Sequence, residues 1–184
     1  VDLAKSVLVV VDMQNGFVSS KSAPIVPHVA DVVRRWEEVG GATVFTRFVN
    51  HPGSPYERLI NWSRMQTSPE IDIVDDLVPA SRRTVTVLDK PIYSLFTEEG
   101  AATVAQHGWT DIVIVGIATE SCVLKTACDA FERGLTPWVV KDAVYSHAGQ
   151  EAHEAGLLVT SRFIGRRQLI DAEDLFSEKL VATA

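Results

Sequence analysis

After Ser6 the chain reads Val7-Leu8-Val9-Val10-Val11, an apolar run with no polar alternation. Such a run fits a strand covered on both faces, the situation of a parallel sheet packed between helices. The polar turn Asp12-Met13-Gln14-Asn15-Gly16 ends it. Strand-like runs recur at Ala42–Phe48, Thr84–Leu88, Asp111–Val115, Thr136–Val140 and, briefly, Arg167–Ile170. Helical patterns lie between them. One opens at Pro27, sets Val29, Val32, Val33 and Trp36 on one face, and stops at Gly40-Gly41. A second is capped by Thr97, carries Glu98 and Glu99 in its first turn, and ends near Gly108. A third covers Glu120–Arg133, with Gly134 as its C-cap. A fourth runs from His147 or Ala148 to Phe163, and a weak one spans Asp171–Lys179. Strand–helix alternation along the whole length predicts an α/β fold built on a doubly wound parallel sheet. No repeat, linker or low-complexity stretch divides the 184 residues, so one domain over 1–184 is expected.

In such a sheet, ligands bind beyond the carboxyl ends of the strands, at the point where the strand order reverses. Asp12 follows the first strand, Lys90 the third and Cys122 the fourth. Cys122 is expected in the first turn of a helix, where orphan N–H groups and the helix dipole favour a thiolate. Each residue alone has a plainer reading. Asp12 can cap a turn, Lys90 can be a solvated lysine, and Cys122 can be a small buried hydrophobe. Together they form a set with one chemistry. The carboxylate takes the thiol proton and returns it to a leaving group, and the ammonium holds the charges in place. The sulfur attacks a carbonyl carbon while backbone N–H groups hold the oxyanion. Asp142, after the fifth strand, reads as a structural cap, and Cys128 as core.

Bulk properties narrow the partners. A net charge of -7, with no Lys/Arg block and with Arg34-Arg35, Arg82-Arg83 and Arg166-Arg167 only isolated pairs, argues against nucleic acid. No apolar run reaches membrane-spanning length, and the first residues lack a signal-peptide pattern. Cys122 and Cys128 stand six residues apart on one predicted helix, a rise of about 9 Å, too far for a disulfide. Free thiols imply a reducing, cytoplasmic setting.

Four blocks carry a resemblance. They are Val9-Val10-Val11-Asp12-Met13-Gln14, Lys90-Pro91-Ile92-Tyr93-Ser94-Leu95-Phe96, Gly116-Ile117-Ala118-Thr119-Glu120-Ser121-Cys122-Val123 with its continuation to Gly134, and Val139-Val140-Lys141-Asp142-Ala143. In order and spacing they resemble the isochorismatase-like cysteine hydrolase superfamily, which includes nicotinamidases, carbamoyl-amidases and ureidoacrylate-type amidohydrolases. The resemblance implies a three-layer α/β/α sandwich on a six-stranded parallel sheet, with Asp12, Lys90 and Cys122 as catalytic residues. It also implies a cis peptide at Ile117–Ala118, which aims the backbone N–H groups of Ala118 and Cys122 at the oxyanion.

The chain departs from the nicotinamidase pattern. Nicotinamidases carry an Asp-x-His pair and a further His after the second strand, binding a metal. Here the stretch is Arg47-Phe48-Val49-Asn50-His51-Pro52, with one His, expected to cap or to face solvent. No catalytic metal and no cofactor are therefore expected. The long irregular segment Val49–Ile73 reads as a binding loop. With its neighbours it supplies the expected substrate-binding residues Phe17, Phe48, Asn50, Trp62 and Tyr93, an aromatic lining with one amide for a polar group. Tyr145, His147 and the arginine pairs are expected at the surface or an interface.

The expected function is hydrolysis of a small amide, ureido or carbamoyl compound through a thioester. The alternatives are a vinyl-ether hydrolase of isochorismatase type, using Asp12 and Lys90 without the thiol, and a thiol-sensing module without enzymatic activity. A homodimer or homotetramer is expected, with the apolar tail Leu175-Phe176 suited to an interface.

Overall fold

The computed structural model describes residues 2–177. Its frame is one six-stranded sheet: β1 (Ser6–Val11), β2 (Ala42–Phe48), β3 (Thr86–Lys90), β4 (Asp111–Ile117), β5 (Thr136–Tyr145) and β6 (Leu169–Ile170). The strands lie in the order β3-β2-β1-β4-β5-β6, and every pairing is parallel. The helices are α1 (Ile25–Glu38), α2 (Pro55–Ile60), α3 (Val78–Ser81), α4 (Glu98–His107), α5 (Leu124–Glu132), α6 (Gln150–Ile164) and α7 (Ala172–Leu175).

Alternate residues of each central strand enter opposite cores, because successive side chains of a strand point to opposite faces. Leu8 and Val10 of β1 join Val29, Val32, Val33 and Trp36 of α1 and Leu175 of α7 on one side. Val7, Val9 and Val11 join Val104 of α4, Ala127 and Ala130 of α5, and Ile164 of α6 on the other. Two covered faces explain why β1 shows no polar alternation, and they make the fold a three-layer α/β/α sandwich. Among the described residues no helix is long and apolar enough to cross a membrane.

Several boundaries differ from the sequence reading. The first helix begins at Ile25, not Pro27, within the usual uncertainty of helix ends. β3 runs to Lys90, held in register with β2 by the Arg47–Asp89 ion pair, whose two N–O distances are 2.6 and 2.7 Å. β5 continues through Asp142 to Tyr145, across a register shift against β4 between Ile114 and Gly116. The apolar tail is not an exposed interface: Leu175 is buried in the α1-side core, and Arg35 lies over the Phe176 ring. Of the expected helix Asp171–Lys179, the described part is helical over Ala172–Leu175, and residues 178–179 lie outside the described residues. The Asp142 carboxylate accepts from the Ala172 N–H at 2.9 Å, so it does serve as a cap.

Candidate active site

The order of the sheet reverses between β1 and β4, so their carboxyl ends flank a crevice. Asp12 leaves β1 with φ 47, a left-handed conformation uncommon for a residue with a Cβ. It is held there by hydrogen bonds on several sides. The Asp12 N–H donates to the Thr46 carbonyl and hydroxyl, and the Thr46 hydroxyl donates to Asp12 Oδ1 at 2.6 Å. The other oxygen, Oδ2, receives Lys90 Nζ at 2.7 Å. This ion pair is fully enclosed, with side-chain exposures of 0% for Asp12 and 1% for Lys90. Two further donations, to the carbonyls of Ile92 (3.1 Å) and Tyr93 (2.9 Å), use the remaining ammonium protons. Burial is the largest influence and opposes the charge on Lys90, but Asp12 and Cys122 together outweigh it and hold the ammonium above the ordinary lysine range.

Cys122 approaches from the β4 side. Gly116 lets β4 pass close to β1: its φ is 109, and a Cβ there would stand 2.2 Å from the Val11 carbonyl oxygen. The Ile117–Ala118 peptide bond is cis. Cys122 then lies in a wide π-type turn, Thr119–Val123, rather than in the first turn of a regular α-helix. The carbonyl of Ala118 accepts from the N–H groups of both Ser121 and Val123, which closes the turn. The thiol also differs from the sequence expectation of a thiolate. Burial is the largest cause and Asp12 adds to it; Lys90 opposes them but does not prevail, so the thiol is pushed well above its ordinary range. Where the helix-end argument favours the anion, enclosure favours the neutral thiol.

Above the sulfur opens a cavity of about 310 Å³. Phe17, Phe48, Trp62 and Tyr93 line it as expected, and their rings form one connected cluster. Phe17 stacks on Trp62 with centroids 6.1 Å apart, Phe48 meets Tyr56 edge-on at 4.9 Å, and Tyr56 meets Tyr93 at 5.2 Å. Asn50 is the exception. Its amide donates to the carbonyls of Trp62 and Arg64 and accepts from the His51 N–H, so it pins the loop that carries Trp62 and offers nothing to a ligand.

Tyr56, Ile60, Glu120, Ser121 and His147 also line the cavity, and the sequence reading missed them. His147, expected at the surface or an interface, lines the cavity instead. With β5 running to Tyr145, His147 falls at the same sheet edge as the other site residues. Its ring stacks on Phe17 at 5.4 Å, and burial holds it below the ordinary imidazole range. Glu120 and Ser121 stood beside Cys122 in the motif, which was the available signal.

The segment after β2 does not supply a metal-binding set. His51 is exposed, with Nδ1 3.0 Å from the Pro52 carbonyl, and the Asn50 amide is spent. Among the described residues no group of three or more His, Cys, Asp or Glu side chains is gathered to hold an ion.

A doubly wound α/β sandwich with a thiol, a carboxylate and an ammonium at its switch point defines the class of protein. The isochorismatase domain model matches residues 6–166, and the chain belongs to that family of hydrolases. It is similar to the ureidoacrylate amidohydrolase RutB of Methylobacterium radiotolerans, with 28% identity covering 89% of this chain and 76% of that one. Nicotinamidase 3 of Arabidopsis thaliana is 24% identical over 91% of this chain and 85% of that one. Among solved structures, N-carbamoylsarcosine amidase from Thermoplasma acidophilum has the same fold: TM-score 0.79, 23% identity, 94% of this chain and 99% of that one. The nicotinamidase PncA of Bacillus subtilis does too, with TM-score 0.80, 22% identity, 91% and 99% coverage.

Proposed function

We propose that the chain is a cysteine amidohydrolase acting on a small amide, ureido or carbamoyl compound through a thioester acyl-enzyme. The observation that carries this reading is the enclosed Asp12–Lys90 ion pair acting on the Cys122 thiol at the floor of an aromatic cavity. Relatives whose names state amide hydrolysis support the bond type.

The neutral resting thiol dictates the order of events. Sulfur cannot attack efficiently while it keeps its proton, so the proton passes to Asp12 as the C–S bond forms. Lys90 is anchored at three acceptors and holds that carboxylate in place. The carbonyl oxygen, now an oxyanion, is received by the N–H groups of Ala118 and Cys122. The C–N bond then breaks, and Asp12 returns the proton to the departing nitrogen. Water, deprotonated by Asp12, attacks the thioester and releases the acid and the free thiol.

Cys122→Ala tests the reading on a panel of small amides and ureides. Turnover is expected to fall by about 1,000-fold or more, as for loss of a covalent nucleophile. Wild-type enzyme quenched in acid should carry the acyl mass on Cys122. Full turnover by the alanine variant would remove the covalent mechanism, and thiol-independent cleavage of a vinyl ether would favour the isochorismatase-type alternative.

A further inference from the structure

The charges around the Cys122 cavity do not cancel. Asp12 and Lys90, buried behind its lining, neutralise one another, and the ammonium has no proton left for a ligand. The walls are mostly aromatic and apolar, and among the described residues no lysine or arginine lines them. Arg64, the cation that acts on His147, is committed to Glu70 at 2.8 Å. Burial, aided by Arg64, outweighs the opposing effect of Glu120 and disfavours a positive charge on His147.

Glu120 is left over. It bears the one carboxylate among the lining residues. Ser146 Oγ donates to its Oε1 at 2.7 Å, while Oε2 is buried without a hydrogen-bond partner among the described residues. Its backbone is clamped by α6, since a Cβ on Gly156 would meet the Glu120 N at 2.7 Å. The carboxylate is therefore fixed two residues from the nucleophile, beside a cavity whose low-dielectric walls screen it poorly. The ring faces of the aromatic cluster add to the same preference, because their quadrupoles attract cations.

We infer that Glu120 sets the charge selectivity of this cavity, which accepts neutral and cationic amides and rejects those that carry a carboxylate. The inference rests on the reading of the cavity as the acyl-enzyme site, and it narrows the substrate class within that reading.

The test uses three para-substituted benzamides, para-aminomethylbenzamide, para-toluamide and terephthalamate, which are cationic, neutral and anionic in turn. Their binding to the Cys122→Ala protein is measured by calorimetry, which separates recognition from turnover. The cation is expected to bind about tenfold or more tightly than the anion, with the neutral amide between them. Glu120→Gln keeps the acceptor for Ser146 and removes the charge, so in that background the three affinities should converge. Equal or tighter binding of terephthalamate, no measurable binding of the ammonium ligand, or an unchanged order in Glu120→Gln would each overturn the proposal. If that variant does not fold, the order among the three ligands in the Glu120-containing protein decides the matter alone. Turnover of the same amides by wild-type enzyme is scored separately. A binding order as expected with no turnover counts against the amidase reading and leaves the charge selectivity standing.

Discussion

Cys122 owes its chemistry to two opposed influences. The turn it occupies presents N–H groups, while enclosure beside Asp12 keeps the proton on sulfur. The sign is open to measurement. The shift is upward, so at neutral pH the thiolate fraction lies below that of a free cysteine, whose pKa is about 8.5. Iodoacetamide labelling of Cys122, followed by peptide mass spectrometry, should be slower than for free cysteine at pH ~7 and still climb through the alkaline range. A labelling rate already at its plateau near neutrality would show a preformed thiolate and remove the need for Asp12 as base. At the same scale the sequence was legible for Asp12, Lys90 and Cys122, because a polar residue following an apolar strand is conspicuous. It was misleading for Asn50, whose amide three backbone groups already occupy.

Among the elements, α6 does more than cover the sheet. Gly156 lets it lie directly on the backbone of the Thr119–Val123 turn, and Thr119 Oγ1 and His153 Nδ1 join the two at 2.8 Å. A methyl group at this point has nowhere to go but into main chain. Gly156→Ala is therefore expected to cost about 1–3 kcal/mol in denaturant unfolding, as overpacking does. It should also lower kcat by at least about tenfold under conditions where the variant is folded, since small displacements of a catalytic group are expensive. Unchanged kcat in the folded variant would mean that α6 does not position the turn. This contact leaves no local signal, because it joins residues more than thirty apart. Helix and strand types were readable from periodicity, whereas the end of β5 was not. That strand runs on past the register shift beside Gly116 to Tyr145, two residues before His147.

At the level of the whole molecule, the sandwich leaves apolar side chains outside its own cores. Phe131 on α5 and Leu158 and Phe163 on α6 are exposed. They give the α5–α6 side exposed apolar surface of the kind that copies of a chain bury against one another. We propose that self-association uses this face, in place of the Leu175-Phe176 tail, which the fold consumes internally. Light scattering behind size exclusion should give a dimer or tetramer for the wild type and a smaller species for Leu158→Glu with Phe163→Glu. A wild-type monomer, or an oligomer indifferent to the double substitution, would contradict this assignment.

What the sequence determined by itself is the class of the fold and three polar positions at one edge of it. Local periodicity and the burial of β-branched runs act over a few residues, so a single chain displays them. Tertiary structure alone decided the rest. It set the protonation of Cys122, because enclosure and nearby charge come from β1, β3 and the loop after β3. It put His147 and Tyr56 into the cavity, because a cavity wall is made of segments that are neighbours only once the sheet has ordered them. It left one oxygen of Glu120 without a partner among the described residues, a property of what surrounds a side chain in space.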